Sequence, residues 1–227
     1  VVLLTSPLGY QYGLVPLQPS LAGLMISFVG GALVVFVGLV FLIIAIRANL
    51  VGNRSLLSLT IFIGMIPLVS LLPVLLKAIA VPSINDISTD TVHPPEFVTL
   101  LPLRVGAETS AEYGESEAWS ADELSSITRV AYPEIKTQRI DLSTADAVYR
   151  SVAILEDMGL EIMSSDVGEG RIEAVATSFW FGFKDDLVVR IVEVEGQVLI
   201  DLRSKSRVGL SDMGANASRI REFIRRF

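Results

Sequence analysis

The sequence predicts an α+β protein in which two transmembrane helices precede an antiparallel sheet domain with helices packed on one face. Charge and hydropathy separate the two parts. All 25 acidic residues and 15 of the 18 basic residues lie after residue 81. Within the last half of the chain, the patterns follow the order strand, helix, four strands, helix. The predicted divisions are a membrane region (1–81), an extended strap and loop (82–119) and a soluble α+β domain (120–227).

Two uncharged runs are long enough to cross a bilayer. Residues 21–46 and 56–76 contain 26 and 21 residues, and a helix that rises ~1.5 Å per residue needs about 20 residues to span ~30 Å of hydrocarbon. Arg47 and Arg54 bracket the short turn between the runs. Because short basic loops stay on the cytoplasmic side, we expect the C-terminal domain in the periplasm, with the helices in a bacterial inner membrane. The apolar residues 1–4 predict the end of a truncated upstream span.

Small residues form a seam along the first predicted span. Gly23, Ser27, Gly31 and Gly38 recur at spacings of four and seven, near one face of the helix. Such residues allow two helix backbones to approach closely. The seam predicts packing either against the second span of this chain or against another membrane protein. We favour the first interpretation because glycine is common in all transmembrane helices.

The strap and the loop after it carry turn-forming and polar residues. Pro82, Pro94, Pro95 and Pro102 keep residues 82–105, the strap, extended rather than helical. Residues 106–120 are rich in Glu, Ser, Ala and Gly, which predicts an exposed loop. Ser120 and Glu123 have the spacing of a capping box, which predicts the start of a short helix before Pro133.

Alternating and helical periodicities define the rest of the domain. Ser143 or Thr144 begins a helix that Gly159 ends, and Ser211 or Asp212 begins the final helix. The aromatic run 179–183 falls at the end of a predicted strand, and alternation sends about half of it to the core. A ring left outside would anchor the domain to the membrane interface or a partner. The predicted strands are 136–141, 160–165, 171–180, 187–194 and 198–206.

Several of these segments together resemble a known family. They are Ile84-Asn-Asp-Ile-Ser-Thr-Asp90 with Pro94-Pro95, Gly170-Arg-Ile-Glu-Ala174, Trp180-Phe-Gly-Phe-Lys-Asp-Asp186, Arg203-Ser-Lys-Ser-Arg-Val-Gly209 and Ser211-Asp-Met-Gly-Ala-Asn216. In this order the chain from about residue 82 to residue 227 resembles the family called domain of unknown function 1499. The resemblance implies membrane helices ahead of the domain, commonly with one more upstream, and it implies no activity. His93 departs from the acidic or polar residue usual in the family.

Charged residues on the last two strands form a candidate binding face. Strand alternation places Asp201, Arg203, Lys205 and Arg207 on one face of the last strand. The simpler interpretation, which we favour, is a solvated face with cross-strand ion pairs. The alternative is a site for an anion or an acidic partner group beside the start of the last helix. Its candidate residues are Lys184, Arg190, Arg203, Lys205, Arg207 and Ser211.

A weaker candidate is a metal site in the strap. Asp86, Asp90, His93 and Glu96 lie within eleven residues, and carboxylate oxygens and imidazole nitrogens bind divalent cations. The alternative is that the aspartates only close turns in a proline-rich segment. We favour the second interpretation.

Motifs and net charge narrow the function classes. The chain has one histidine and no cysteine, and it lacks a nucleophile elbow, a phosphate-binding loop and an H-E-x-x-H motif. We therefore expect no catalytic residues and no cofactor, and favour a non-catalytic role. The formal charge of −7 argues against nucleic acid as a partner.

The leading functional expectation is a membrane-anchored accessory or structural subunit. Its helical hairpin and periplasmic domain would bind a larger membrane protein complex, so its partners would be the lipid bilayer and other integral membrane subunits. The alternative expectation is a periplasmic domain that binds a small anionic or lipid ligand.

Overall fold

The computed structural model describes residues 1–115 and 118–227, which form two compact units. One unit contains residues 1–79 and 180–182, and the other contains residues 80–179 and 183–227. Ser116 and Glu117, in the exposed loop predicted over residues 106–120, lie outside the described residues.

The first unit is helical. It contains α1 (Val2–Gln11), α2 (Leu17–Arg47) and α3 (Val51–Ala80). Helices α2 and α3 are long and apolar enough to cross a membrane, and only 17% and 6% of their most apolar windows are buried within the chain. This exposure is unlike that of a core helix in a soluble protein. The two predicted spans are therefore present as helices, and the apolar residues at the start of the chain belong to α1.

The small-residue seam of α2 faces its neighbours within this unit. A Cβ atom on Gly31 would lie 2.7 Å from the carbonyl oxygen of Gly64 in α3, and one on Gly38 would lie 2.7 Å from Ile61 Cγ1. A Cβ atom on Gly23 would meet the Ser6 hydroxyl of α1 at 2.1 Å. Ser27 Oγ donates to the carbonyl oxygen of Gly23, one turn earlier. Gly31 and Gly38 thus pack against α3, the second predicted span, whereas Gly23 packs against α1.

The second unit is built on an antiparallel sheet. Within the described residues, six strands pair in the order β1-β6-β5-β4-β3, and β2 pairs with β6 beside β1. The strand β1 is an addition to the predicted set, and it lies in the strap. The strands are β1 (Asp86–Ser88), β2 (Gln138–Ile140), β3 (Glu161–Asp166), β4 (Arg171–Thr177), β5 (Lys184–Val194) and β6 (Gln197–Ser206).

Helices cover one face of this sheet. Helices α5 (Thr144–Asp157) and α6 (Ala215–Arg226) pack on the apolar side chains of β4, β5 and β6, and α4 (Ala121–Ala131) adds Leu124 to the same core. Val148, Leu155, Ile220 and Phe223 are each at most 1% exposed. The predicted α+β fold, with helices on one face of an antiparallel sheet, is confirmed.

Side chains hydrogen-bond backbone N–H groups near the start of each of these helices. Ser120 and Glu123 form the predicted capping box at α4. Ser143, rather than Thr144, accepts the backbone N–H of Asp146 at the start of α5. The Asp212 carboxylate accepts the backbone N–H groups of Gly214 and Asn216 at the start of α6. The capping patterns in the sequence therefore predicted the first residues of α4, α5 and α6 to within a few positions.

The aromatic run after β4 departs from the prediction. β4 ends at Thr177, and residues 178–183 form a loop that is closed by a hydrogen bond from the backbone N–H of Ser178 to the carbonyl oxygen of Phe183. Gly182 has a φ of +65°, which ends the alternation of a strand. Phe179 and Trp180 are 81% and 51% exposed, so alternation does not carry these rings into the core.

The strap covers the other face of the sheet. Its strand β1 pairs with β6, and its Phe97 and Leu100 pack on Val175 of β4 and Val188 of β5. Phe97 and Leu100 are almost fully buried. The strap is therefore an integral layer of the second unit, and it lies over the charged face of β6.

Candidate functional site

Asp86 of the strap is buried between two cations of β6. Its carboxylate accepts Arg203 Nε and Nη2, each at 2.9 Å, and lies 3.1 Å from Lys205 Nζ. The three side chains are at most 3% exposed. The guanidinium of Arg203 also lies 4.9 Å from the centre of the Phe97 ring and 5.4 Å from that of Tyr113. Arg203 is thus surrounded by the strap and the loop that follows it.

A second carboxylate, Asp186 of β5, also holds two cations. It accepts Arg104 Nη1 at 2.6 Å and Arg207 Nη2 at 2.7 Å. Arg104 belongs to the strap, and its Nη2 donates to the carbonyl oxygens of Thr109 (3.1 Å) and Ser206 (3.3 Å). This arginine therefore joins the strap, the following loop and two strands of the sheet.

The third cluster is centred on Arg190 of β5. Its Nη2 lies 2.9 Å from Asp90 Oδ2 in the strap and 2.8 Å from Asp201 Oδ2 in β6. Asp201 Oδ1 accepts the hydroxyls of Thr89 at 3.0 Å and Thr137 at 2.6 Å. Each of the three clusters thus connects the strap to the sheet.

Two pKa shifts follow from this arrangement. Burial alone would raise the pKa of Asp90, but hydrogen bonds from the backbone N–H groups of His93 and Val92, together with Arg190, hold it below its usual value. Burial lowers the pKa of Lys205, and the opposing attraction of Asp86 only partly offsets it. The positive charges of Arg203 and Arg104 act in the same direction as burial.

Glu173 of β4 makes a different kind of contact with the strap. Its carboxylate is 0% exposed and accepts the backbone N–H groups of Val98 (2.8 Å), Thr99 (3.1 Å) and Leu100 (2.9 Å). These bonds precede the 3₁₀ turn Leu101–Arg104. Sequence reasoning missed this role. The available signal was an acidic residue inside a strand that is otherwise apolar.

The expectation of a solvated charged face is wrong. Alternation placed Asp201, Arg203, Lys205 and Arg207 on the correct common face, but the strap buries most of it. The six candidate residues also do not converge on one site. Lys184 Nζ donates to Thr177 Oγ1 at 2.7 Å, and Ser211 Oγ accepts the backbone N–H of Met213 at 3.3 Å, whereas the others, Arg190, Arg203, Lys205 and Arg207, form the ion pairs described above.

The predicted metal site is not assembled. Asp86 and Asp90 turn their carboxylates to different cations of the sheet, Arg203 and Arg190. Asp90 also closes the turn at His93, as the alternative interpretation expected. In the ranges 1–115 and 118–227, no three His, Asp or Glu side chains are grouped so as to hold a metal ion. The physical reason for this correction is that arginine and lysine already pair with Asp86 and Asp90.

A known family matches most of the second unit of the chain. The family model described as protein of unknown function (DUF1499) matches residues 86–227. The chain belongs to the DUF1499 family. Its match begins at Asp86, the first residue of β1, so the strap is part of the DUF1499 domain rather than a linker before it. No curated protein matches the chain significantly.

Asn85, Ser204, Ser206 and Asn216, which belong to the segments that resemble the family, meet at the end of β6 in the DUF1499 domain. Asn216 Nδ2 donates to the carbonyl oxygen of Asn85 at 2.9 Å and to Ser206 Oγ at 3.0 Å, and its Oδ1 accepts Ser204 Oγ at 2.7 Å. Asn216 is fully buried. It therefore ties the start of α6 to the strap and to β6 through a single side chain.

A cleft opens beside this point, between the loop after the strap and the turn before α6. Its volume is about 690 Å³, within the usual range for sites that bind small molecules. Trp119 forms part of the wall and donates its indole N–H to the carbonyl oxygen of Ser83 at 3.0 Å. The lining includes Asn85, Glu108, Glu115, Trp119, Lys205 and Leu210. This cleft combines a buried cation with exposed carboxylates, so it has the chemical means to bind a small polar molecule.

Proposed function

We propose that this DUF1499 protein is a membrane-anchored accessory subunit that binds a larger membrane protein complex. The observation that carries the proposal is a row of exposed aliphatic side chains on the strap. Their exposed fractions range from 45% to 87%. They are Val92, Val98, Leu101, Leu103 and Val105. Apolar side chains concentrated on one exposed segment commonly mark an interaction surface.

The strap presents this surface in a fixed conformation. Alternating with the exposed residues are Phe97, Leu100 and Arg104, which are buried against the sheet. Ion pairs and the hydrogen bonds that the Glu173 carboxylate accepts hold the backbone between them. A partner that binds a preorganised surface loses less conformational entropy on binding than one that must order a loop. The outer side of the strap is thus suited to docking.

The two long helices support a partner in the same membrane. Their outward side chains are apolar and exposed within the chain, so lipid tails or helices of a partner would surround them. Arg47 ends α2 and Arg54 lies in the first turn of α3, and Arg54 Nη2 donates to Asn49 Oδ1 at 3.3 Å in the loop between them. By the positive-inside rule this loop is cytoplasmic, which supports a bacterial inner-membrane location with the DUF1499 domain in the periplasm.

A photo-crosslinking amino acid at Val105 tests the proposal. Val130 on α4 is the matched control, because it is also a valine and is 81% exposed against 87% for Val105. After irradiation of intact cells and purification in mild detergent, Val105 should crosslink to a specific integral membrane protein and Val130 should not.

Substitution supplies the second arm of this test. Val105→Glu should abolish copurification of the crosslinked protein, whereas Val130→Glu should leave it unchanged. Two results would refute the accessory role. One is that Val105 crosslinks only to lipid, and the other is that this protein purifies alone and monodisperse with the crosslinker at either position.

A further inference from the structure

The carboxylates beneath the strap do not balance the cations at the end of β6 beside the cleft. Asp86 and Asp186 each pair with two cations, and both carboxylates are at most 2% exposed. In the part of the chain that the structure describes, these cations have no further carboxylate at ion-pair distance. The cations paired with Asp86 are Arg203 and Lys205, and the cations paired with Asp186 are Arg104 and Arg207. Because a buried charge without a counter-charge is costly, the surplus favours an added anion.

Lys205 is the one of these cations that lines the cleft. Its ammonium contacts Asp86 Oδ2 at 3.1 Å and donates to the carbonyl oxygen of Glu112 at 2.6 Å. An ammonium group has three N–H donors, and the described residues use two of them, so one donor remains for a ligand. The lowered pKa of Lys205 has the same origin as the charge surplus, since burial, Arg203 and Arg104 all disfavour its charged form. A carboxylate bound beside Lys205 would relieve this cost.

The rim of the cleft has the opposite charge. Glu108 and Glu115 line it and are exposed to solvent. Among residues 1–115 and 118–227, the Glu108 carboxylate accepts the backbone N–H of Gly209 (3.2 Å) and the Glu115 carboxylate accepts Ser110 Oγ (2.5 Å). Each carboxylate has two oxygens and therefore keeps acceptor capacity beside these bonds. The cleft therefore offers one ligand both a buried cation and exposed carboxylates.

We propose that this cleft binds a small zwitterion of the amino-acid type. The ligand carboxylate lies beside Lys205, and the ligand ammonium lies at Glu108 and Glu115. The volume of about 690 Å³ accommodates a molecule of this size. This site is separate from the outer surface of the strap and does not depend on a protein partner.

Trp119 provides a direct reporter of cleft occupancy. The chain has two tryptophans, so Trp180→Phe leaves Trp119 as the sole source of indole fluorescence. The full chain, in detergent micelles, is titrated with linear ω-amino acids from glycine to 6-aminohexanoate. Each is compared with the alkyl carboxylate and the alkyl amine of the same length. At least one ω-amino acid should shift the Trp119 emission saturably, with an affinity about tenfold or more above both matched compounds.

Three substitutions then assign the two ends of the ligand. Lys205→Met should weaken binding of the amino acid and of the carboxylate by about tenfold or more. Glu108→Gln should weaken binding of the amino acid but not of the carboxylate. Lys136→Met removes an exposed lysine that does not line the cleft and should change neither.

Two results would overturn the proposal. One is the absence of a saturable emission change with any of the amino acids at millimolar concentration. The other is equal binding of an amino acid and its matched carboxylate, unaffected by Glu108→Gln. This second result remains decisive if Lys205→Met fails to fold, because Glu108 is exposed and its replacement leaves the buried ion pairs intact.

Discussion

Glu173→Gln should loosen the strap without changing the shape of the side chain. In the wild type, both carboxylate oxygens of Glu173 are used by the strap, one by Val98 and Thr99 and the other by Leu100. Glutamine has only one oxygen, and its amide nitrogen is a donor. One or two buried backbone N–H groups of the strap would therefore face a donor instead of an acceptor.

The cost follows from the burial and charge of these bonds. Hydrogen bonds to a charged group contribute ~1.5–3 kcal/mol each, and a buried donor left without a partner costs ~1–3 kcal/mol. We expect a local destabilisation of about 2–4 kcal/mol for Glu173→Gln, since the carboxylate is 0% exposed. If the strap opens locally, this corresponds to amide exchange faster by about 30-fold to 1,000-fold.

Hydrogen exchange read by mass spectrometry on the full chain measures this directly. The peptide that contains residues 97–101 should lose protection in Glu173→Gln, while peptides from α5 keep theirs. Glu193→Gln on the neighbouring strand is the matched control, because Glu193 is exposed and surface changes are usually within ~0.5 kcal/mol. Unchanged exchange at residues 98–100 in Glu173→Gln would refute the role of this carboxylate as a clamp on the strap.

Three further predictions test the membrane orientation, the pH response and the helix seam. The natural chain has no cysteine, so one placed at Asn49 should be shielded from an impermeant thiol reagent in intact cells and one at Val130 should be labelled; the reverse pattern would contradict a periplasmic domain. Because the pKa of Asp90 is lowered from 3.8, its stabilisation is present above that value and is lost as the pH falls through the lowered value. The unfolding free energies of wild type and Asp90→Asn should therefore differ above pH ~5 and converge in stronger acid, whereas a constant difference would show that Asp90 does not titrate in this way. Gly31→Ala should lower the thermal unfolding midpoint in detergent, because its Cβ would lie 2.7 Å from the Gly64 carbonyl oxygen, and Gly30→Ala, where nothing lies within 4 Å, should not; equal effects would contradict close packing at the seam.

Local patterns in the sequence predicted the elements of the second unit well. Ser143 and Gly159 bound α5 as expected, and the alternation in β6 correctly separated Ile200 and Leu202 from Arg203 and Lys205. Capping and alternation are properties of neighbouring residues, so a single sequence contains them.

The burial of the charged face of β6 could not be predicted from such local patterns. Alternation identifies which side chains share a face, but not which distant segment covers that face. Asp86 and Arg203 are 117 positions apart, and β1 has only three residues, too few to show a period. Glu173 was missed for the same reason, because its partners are backbone N–H groups of the strap that no residue type reveals.

The pairing of β1 with β6 has a consequence for biosynthesis. β1 is made directly after the second apolar helix, but its hydrogen-bonding partner is the last strand of the chain. During translation the strap therefore cannot pair with β6, and Asp86 and Arg104 stay hydrated, until nearly the whole polypeptide has emerged. Because contacts between distant parts of a chain form slowly, this separation predicts that the strap closes late in folding. Until the strap closes, the arginines at the end of β6 would be free to form ion pairs with acidic side chains other than Asp86 and Asp186. We therefore expect incorrect ion pairs to form mainly between synthesis of β6 and closure of the strap.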